Sequence, residues 1–154
     1  MLTYLPGIQG LWAESRTEVG NISTMLKKSA PRVLVVDDEA LIRWSVNEML
    51  VERGYVVTEA GDARMALAAI HQAAEPFDVV LLDYRLPDSA DLRLLETVRR
   101  IAPTSQVIMI TAHNSPELAL GATALGAYRV ISKPFEVESL AALVNQARTA
   151  GSVS

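Results

Sequence analysis

Asp37 and Asp38 close the apolar run Val33-Leu34-Val35-Val36, and Asp83 closes Val79-Val80-Leu81-Leu82. Short continuous apolar runs are the pattern of strands buried on both faces of a parallel sheet, in which ligands bind beyond the carboxyl ends of the strands. Three carboxylates are therefore expected to converge at one edge of a sheet. Two later runs add Thr111 after Val107-Ile108-Met109-Ile110, and Lys133-Pro134 after Tyr128-Arg129-Val130-Ile131-Ser132. Acids, a hydroxyl and an ammonium at successive strand ends could hold a cation and a phosphoryl group together. Each has a plainer reading on its own: an Asp at a strand end caps a turn, Thr111 caps a helix and Lys133 is a solvated cation. The adjacency of Asp37 and Asp38 weighs against that reading, because like charges near a buried sheet edge repel unless a cation is present. His71 and His113 lack metal-ligand spacing and are expected at the surface.

The elements that would position these groups alternate from Arg32 onward between strand-like and helix-like segments, the mark of an α/β fold with a parallel sheet. Ile42, Val46, Met49, Leu50 and Arg53 have helical spacing, and Gly54 is placed to end that helix in a left-handed conformation. Tyr55 to Thr58 reads as a second strand. A helix from about Ala63 to Ala74 has Asp62 as its N-cap and Pro76 beyond its end. Leu86-Pro87-Asp88-Ser89 is a turn offering capping oxygens to a helix that runs to about Ala102. Ser115-Pro116-Glu117 supplies an N-cap, a proline at the first helical position and an acid in the first turn, and Gly126 closes that helix. A final helix runs from about Val137 to Ala147, and residues 151–154 read as a frayed tail.

The chain's 154 residues suit one domain, and 50% hydrophobic content can bury a sizeable core. A net charge of -4 argues against a general electrostatic grip on nucleic acid or on anionic membrane. The absence of cysteine removes disulfides and thiolate metal sites, and fits a cytoplasmic protein. No run is apolar enough to span a bilayer, and Glu14, Arg16 and Glu18 interrupt any signal-like segment. Residues 1–30 form an extension expected to be poorly ordered, of which residues 1–24 are expected to be dispensable with Met25 a candidate native start, and residues 31–150 form the folded domain.

Taken together, Asp37-Asp38-Glu39, Leu82-Asp83 with Pro87 after it, Thr111-Ala112 and Lys133-Pro134-Phe135 resemble the receiver domain of bacterial two-component response regulators. The resemblance covers about Pro31 to Ala150 and rests on four motifs in order, each at an expected strand end. It implies a doubly wound, flavodoxin-like α/β fold with five parallel strands in the order 2-1-3-4-5, flanked by five helices. It also implies that Asp83 accepts a phosphoryl group, that Asp38 and Asp83 with the Arg85 carbonyl hold Mg²⁺, and that Asp37 acts partly through a metal-bound water. Lys133 would place its ammonium on the phosphoryl oxygens, an attraction of about 4 kcal/mol at about 4 Å and an effective dielectric near 20, before desolvation. Thr111 would donate its hydroxyl, and a cis Lys133-Pro134 bond would aim the lysine inward. Such a domain is a signalling module, and it assists only its own phosphorylation and dephosphorylation.

The chain departs from the family pattern in two places. Val130 stands where an aromatic is usual, leaving Tyr128 as the nearest substitute, expected on the same strand face. Ala90 and Asp91 occupy the loop where a glycine is usual. Arg85 and His113 would flank the path of a hydrolytic water, and their bulk predicts a long-lived phosphoryl group. The implied donor is a sensor histidine kinase or a phosphotransfer protein, for which Trp44 and Leu41 on the first helix are docking candidates; a homodimer or an output partner would read the change. With no effector segment after the last helix, the chain is expected to be a stand-alone regulator, a relay shuttle or the receiver of a longer regulator. Two alternatives stand beside this reading. A haloacid dehalogenase-like phosphotransferase would want Asp-x-Asp after its first strand, where this chain has Asp37-Asp38-Glu39. A receiver-shaped interaction module would never be phosphorylated.

Overall fold

Apolar, β-branched runs make the strands, and their burial tracks position in the sheet. The computed structural model describes residues 29–153. Its elements are β1 (Arg32–Val36), α1 (Ala40–Glu52), β2 (Val56–Ala60), α2 (Ala63–Gln72), β3 (Val79–Asp83), α3 (Arg93–Ile101), β4 (Gln106–Thr111), α4 (Pro116–Ala124), β5 (Arg129–Ser132) and α5 (Val137–Val153). All pairings are parallel and the strand order is β2-β1-β3-β4-β5, the doubly wound arrangement expected. Central β3 is buried along its whole length, whereas edge strands β2 and β5 are only partly covered.

Strand alternation divides the core into two layers. Leu34, Val36, Val80, Leu82, Val107 and Met109 pack with residues of α2, α3 and α4. Val33, Val35, Val79, Leu81, Ile108 and Ile110 pack with Val46, Met49 and Leu50 of α1 and Leu140 and Val144 of α5. With both faces covered, the sheet leaves its carboxyl end as the place where polar groups can gather.

Local punctuation follows the sequence closely. Gly54 and Gly126 have φ of 90° and 99°, a conformation that costs glycine least. Asp62 accepts from the Met65 N–H at 2.7 Å, and Ser115 from the Leu118 N–H at 3.1 Å. Four expectations need correction. β2 spans Val56–Ala60, because pairing with β1 continues to Val36 opposite Ala60. Asp88 does not cap the helix after it; its two oxygens accept from the Ala63 and Arg64 N–H groups at 2.8 and 3.1 Å, at the start of α2. Residues 151–153 are no frayed tail, since α5 continues through them; a Cβ at Gly151 would stand 3.4 Å from the Gln106 side chain, so the last turn lies close against the start of β4. Tyr128 packs in the layer of α1 and α5 while Val130 packs in the opposite layer, so the tyrosine is no substitute behind Val130; β5 begins only at Arg129, and strand alternation does not reach back to it. Of the extension over residues 1–30 only 29 and 30 are described, in neither a helix nor a strand, so the expectations about residues 1–24 and Met25 lie outside the described residues.

Candidate functional site

β1, β3 and β4 end alike. The Asp37 Oδ1 accepts from the Glu39 N–H at 2.8 Å, the Asp83 Oδ1 from the Arg85 N–H at 3.2 Å, and the Thr111 Oγ1 from the His113 N–H at 3.1 Å. A short side chain that captures the amide two residues on makes a compact turn and fixes its own orientation. Turn capping thus leaves Asp37 and Asp83 one carboxylate oxygen each, and Thr111 its hydroxyl hydrogen, at the sheet's carboxyl end. Asp37, Asp83 and Thr111 are 3%, 6% and 2% exposed, so the groups are shielded as well as aligned.

Lys133, just beyond β5, draws the acids together. Its Nζ lies 2.8 Å from Asp37 Oδ2, 3.1 Å from Glu39 Oε1 and 3.2 Å from Asp83 Oδ2. Its main-chain N–H donates to the Thr111 carbonyl at 2.8 Å, and the Lys133-Pro134 bond is cis. Burial works against the ammonium, but hydrogen bonds to Asp37 and Glu39 and the charges of Asp37 and Asp83 prevail and hold it protonated more firmly than a free lysine. Asp83 moves up from 3.8 to about 6, chiefly because burial disfavours its charged form and next because Asp37 is nearby; Lys133 and the Arg85 N–H pull the other way.

Ligand oxygens of Asp37, Asp38 and Glu39 lie within 4.8 Å of one another. Octahedral Mg²⁺, with oxygens at about 2.0–2.1 Å, places its ligands about 3–4 Å apart, so small side-chain rotations and a few waters would complete such a shell. The donor set is hard oxygen throughout, which fits that ion. Four formal negative charges on Asp37, Asp38, Glu39 and Asp83 against the single Lys133 ammonium leave a surplus that a divalent cation would relieve.

Of the residues expected from sequence, Asp37, Asp83 and Lys133 meet directly, Asp38 joins Asp37 in the acidic cluster, and Thr111 lies at the end of the adjoining strand. Arg85 is exposed and reaches Asp83 through its N–H. Glu39, given no role from sequence, touches both the lysine and the cluster. Arg43 likewise has no role from sequence. Its Nη1 donates to the Asp37 carbonyl at 2.5 Å, and its one sequence signal is a cation in the first turn of a helix, where the helix dipole disfavours it.

Comparison with known proteins agrees with this geometry. Residues 33–145 match the family model of the response regulator receiver domain. The chain is 35% identical over 117 residues to the DNA-binding transcriptional regulator NtrC of Proteus hauseri, an alignment covering 76% of this chain and 24% of that protein. The chain thus spans about a quarter of that relative's length. A CheY-like response regulator receiver domain protein from Methanospirillum hungatei JF-1 superposes with a TM-score of 0.76 at 31% identity, covering 80% of this chain and 98% of that one. The beryllofluoride-activated NtrC4 receiver domain dimer superposes with a TM-score of 0.72 at 36% identity, covering 78% and 98%.

Proposed function

The chain belongs to the response regulator receiver domain family, and on that premise we propose that Asp83 accepts a phosphoryl group from a phosphohistidine of a sensor kinase or phosphotransfer protein in a Mg²⁺-dependent reaction. The observation that carries the reading is the Lys133 ammonium held between buried Asp37 and Asp83, at 2.8 and 3.2 Å. A carboxylate attacks a phosphoryl group poorly because both carry negative charge, so the site must supply compensating positive charge and alignment.

Asp83 titrates near 6 and is therefore ionised at neutral pH, the form that attacks. A carboxylate oxygen of Asp83 forms the new bond to phosphorus as the phosphorus–nitrogen bond to the donor imidazole breaks, and the leaving imidazole takes a proton from solvent. Lys133, already shared among the acids, shifts onto the incoming phosphoryl oxygens, and the Thr111 hydroxyl donates to the same group. Asp38 and Asp83 with the Arg85 carbonyl, and Asp37 partly through a bound water, would hold Mg²⁺, which would offset charge on the transferring group.

The product is an acyl phosphate, and signalling follows from changed contacts around it. The resemblance to a beryllofluoride-activated dimer supports self-association or an output partner as the readout. Among the described residues no helix is long and apolar enough to cross a membrane, which accords with a cytoplasmic site of action.

Mass spectrometry after treatment with acetyl phosphate or phosphoramidate tests the assignment. Wild type should gain one phosphoryl group, Asp83→Ala none, and Asp38→Ala a reduced amount that added Mg²⁺ partly restores. An adduct that persists on Asp83→Ala would sink the assignment, and steady turnover of phosphate esters would favour a phosphotransferase.

A further inference from the structure

We propose that Arg43 is a positioning residue for the metal site, clamping the Asp37 carbonyl to Glu59 so that the turn bearing Asp37, Asp38 and Glu39 is fixed, and thereby raising Mg²⁺ affinity although its own charge repels the ion. The inference rests on the functional reading above and extends it to a residue that touches neither the metal nor the phosphoryl group. Arg43 lies in the first turn of α1. Its Nη1 donates to the Asp37 carbonyl at 2.5 Å and its Nε to Glu59 Oε1 at 3.2 Å. Asn47, one turn on, donates to Glu59 Oε2 at 2.6 Å, so one face of α1 holds this β2 carboxylate at both oxygens. The guanidinium also lies close over the strand's exit, where a Cβ on Gly61 would stand 3.4 Å from Nη1.

The ion pair with Glu59 adds little stability, so the weight of the arrangement falls on the bond to the Asp37 carbonyl. The Arg43 and Glu59 side chains are 21% and 37% exposed, and exposed ion pairs contribute about 0–1 kcal/mol. A cation in the first turn also opposes the helix dipole by about 0.3–1 kcal/mol. What the contacts do achieve is geometric. Asp37 has its N–H on the Ala60 carbonyl at 3.1 Å, its carbonyl on Arg43 and its Oδ1 on the Glu39 N–H, so the residue that begins the acidic turn is held at three points. The planar guanidinium presents separate donors in a fixed fork, Nη1 to the carbonyl and Nε to the carboxylate, a spacing that the single ammonium point of a lysine would not reproduce.

Simple electrostatics and positioning predict opposite signs. If Arg43 acted only as a nearby positive charge, removing it would tighten Mg²⁺ binding. As a clamp, its loss should weaken binding, and supporting residues around metal sites typically contribute about 10–100-fold in affinity. Calorimetric titration of the metal-free full chain with MgCl₂ decides, alongside its melting temperature. Arg43→Gln should weaken Mg²⁺ binding about tenfold, and Arg43→Lys, which keeps the charge, should weaken it nearly as much. Glu59→Ala should do so to a lesser degree, and amide exchange at Glu39 should quicken in all three. If Arg43→Gln folds poorly, Arg43→Lys carries the test, because its charge and length are kept. Unchanged or tighter Mg²⁺ binding in the variants would overturn the clamp. Failure of the wild type to bind Mg²⁺ at all would instead overturn the functional reading on which it rests.

Discussion

At the amino-terminal end of the sheet Arg32, Asp78 and Arg99 meet neutral partners, whereas at the carboxyl end like charges crowd around one ammonium. Arg32 gives its N–H to Asp78 at 2.7 Å and its guanidinium to the Glu75 carbonyl, and lies 4.8 Å over the Phe77 ring. Arg99 donates to the Ser105 carbonyl at 2.5 Å, and the Ser105 hydroxyl to the Phe77 carbonyl at 2.7 Å. These groups serve to close the strand entrances. At the opposite end Asp37, Glu39 and Asp83 share Lys133, an arrangement that burial penalises and that a phosphoryl group with a cation would relieve. The contrast separates a pole that holds the fold from a pole that holds potential for reaction, within one sheet of five short strands.

The comparison breaks most visibly at Phe77, 3% exposed in the core at the quiet pole. Phe77→Ala should cost about 3–5 kcal/mol in urea unfolding while leaving Mg²⁺ affinity unchanged where the variant is still folded. A parallel loss of Mg²⁺ binding would show that the poles are not independent. Next in size is a gain at the reactive pole. Asp83 titrates at 3.8 in its ordinary state and at about 6 in the fold, so the folded protein holds that proton more tightly. The associated stability is complete below about pH 3.8 and disappears as the pH rises through about 6. Asp83→Asn should therefore stabilise the metal-free protein by about 1–3 kcal/mol at pH 7 and by little at pH 4. Denaturant melts at both values with chelator present check this, and a gain that is the same at the two would mean that burial of the charge is not its source.

Smaller effects sharpen the contrast. Ser105→Ala leaves the Phe77 carbonyl without its buried donor and should cost about 1–2 kcal/mol, with labelling by acetyl phosphate unaffected. Trp44, 60% exposed beside Leu41 at 74%, flanks the reactive pole without supporting it. Trp44→Ala should change stability by less than about 0.5 kcal/mol and slow transfer from the proposed phosphohistidine donor severalfold, with small-molecule labelling as before. Equal slowing in both assays would make it a residue of the fold.

What the chain reveals by inspection depends on how far apart the interacting groups lie along it. Asp62, Ser115, Gly54 and Gly126 act on amides or turns within a few residues, and each is legible from its immediate neighbours. Asp88 is misassigned because the amides it caps lie 24 and 25 residues upstream, on a different helix. The strand-end acids and Lys133 are legible as types because four such ends occur in order, yet Glu39's contact with a lysine 94 positions away is not. Tyr128 is placed on the wrong face because it precedes its strand, where alternation has not begun. The last turn of α5 hides because Ser152 and Gly151 read as a terminus, while its place is set by the side of Gln106 it lies against.

The self-capping strand ends also bear on which ion the pocket would prefer. Asp37 and Asp83 each commit one oxygen to an amide two residues on, leaving the other to face the site. Such carboxylates bind in monodentate fashion, and a shell built from them gathers few protein oxygens. Calcium, which takes six to eight oxygens and readily accepts bidentate carboxylates, would be poorly served, whereas magnesium keeps much of its water and needs only a few fixed ligands. Discrimination between the two ions would then originate in the main chain of two turns, upstream of any choice among acidic side chains.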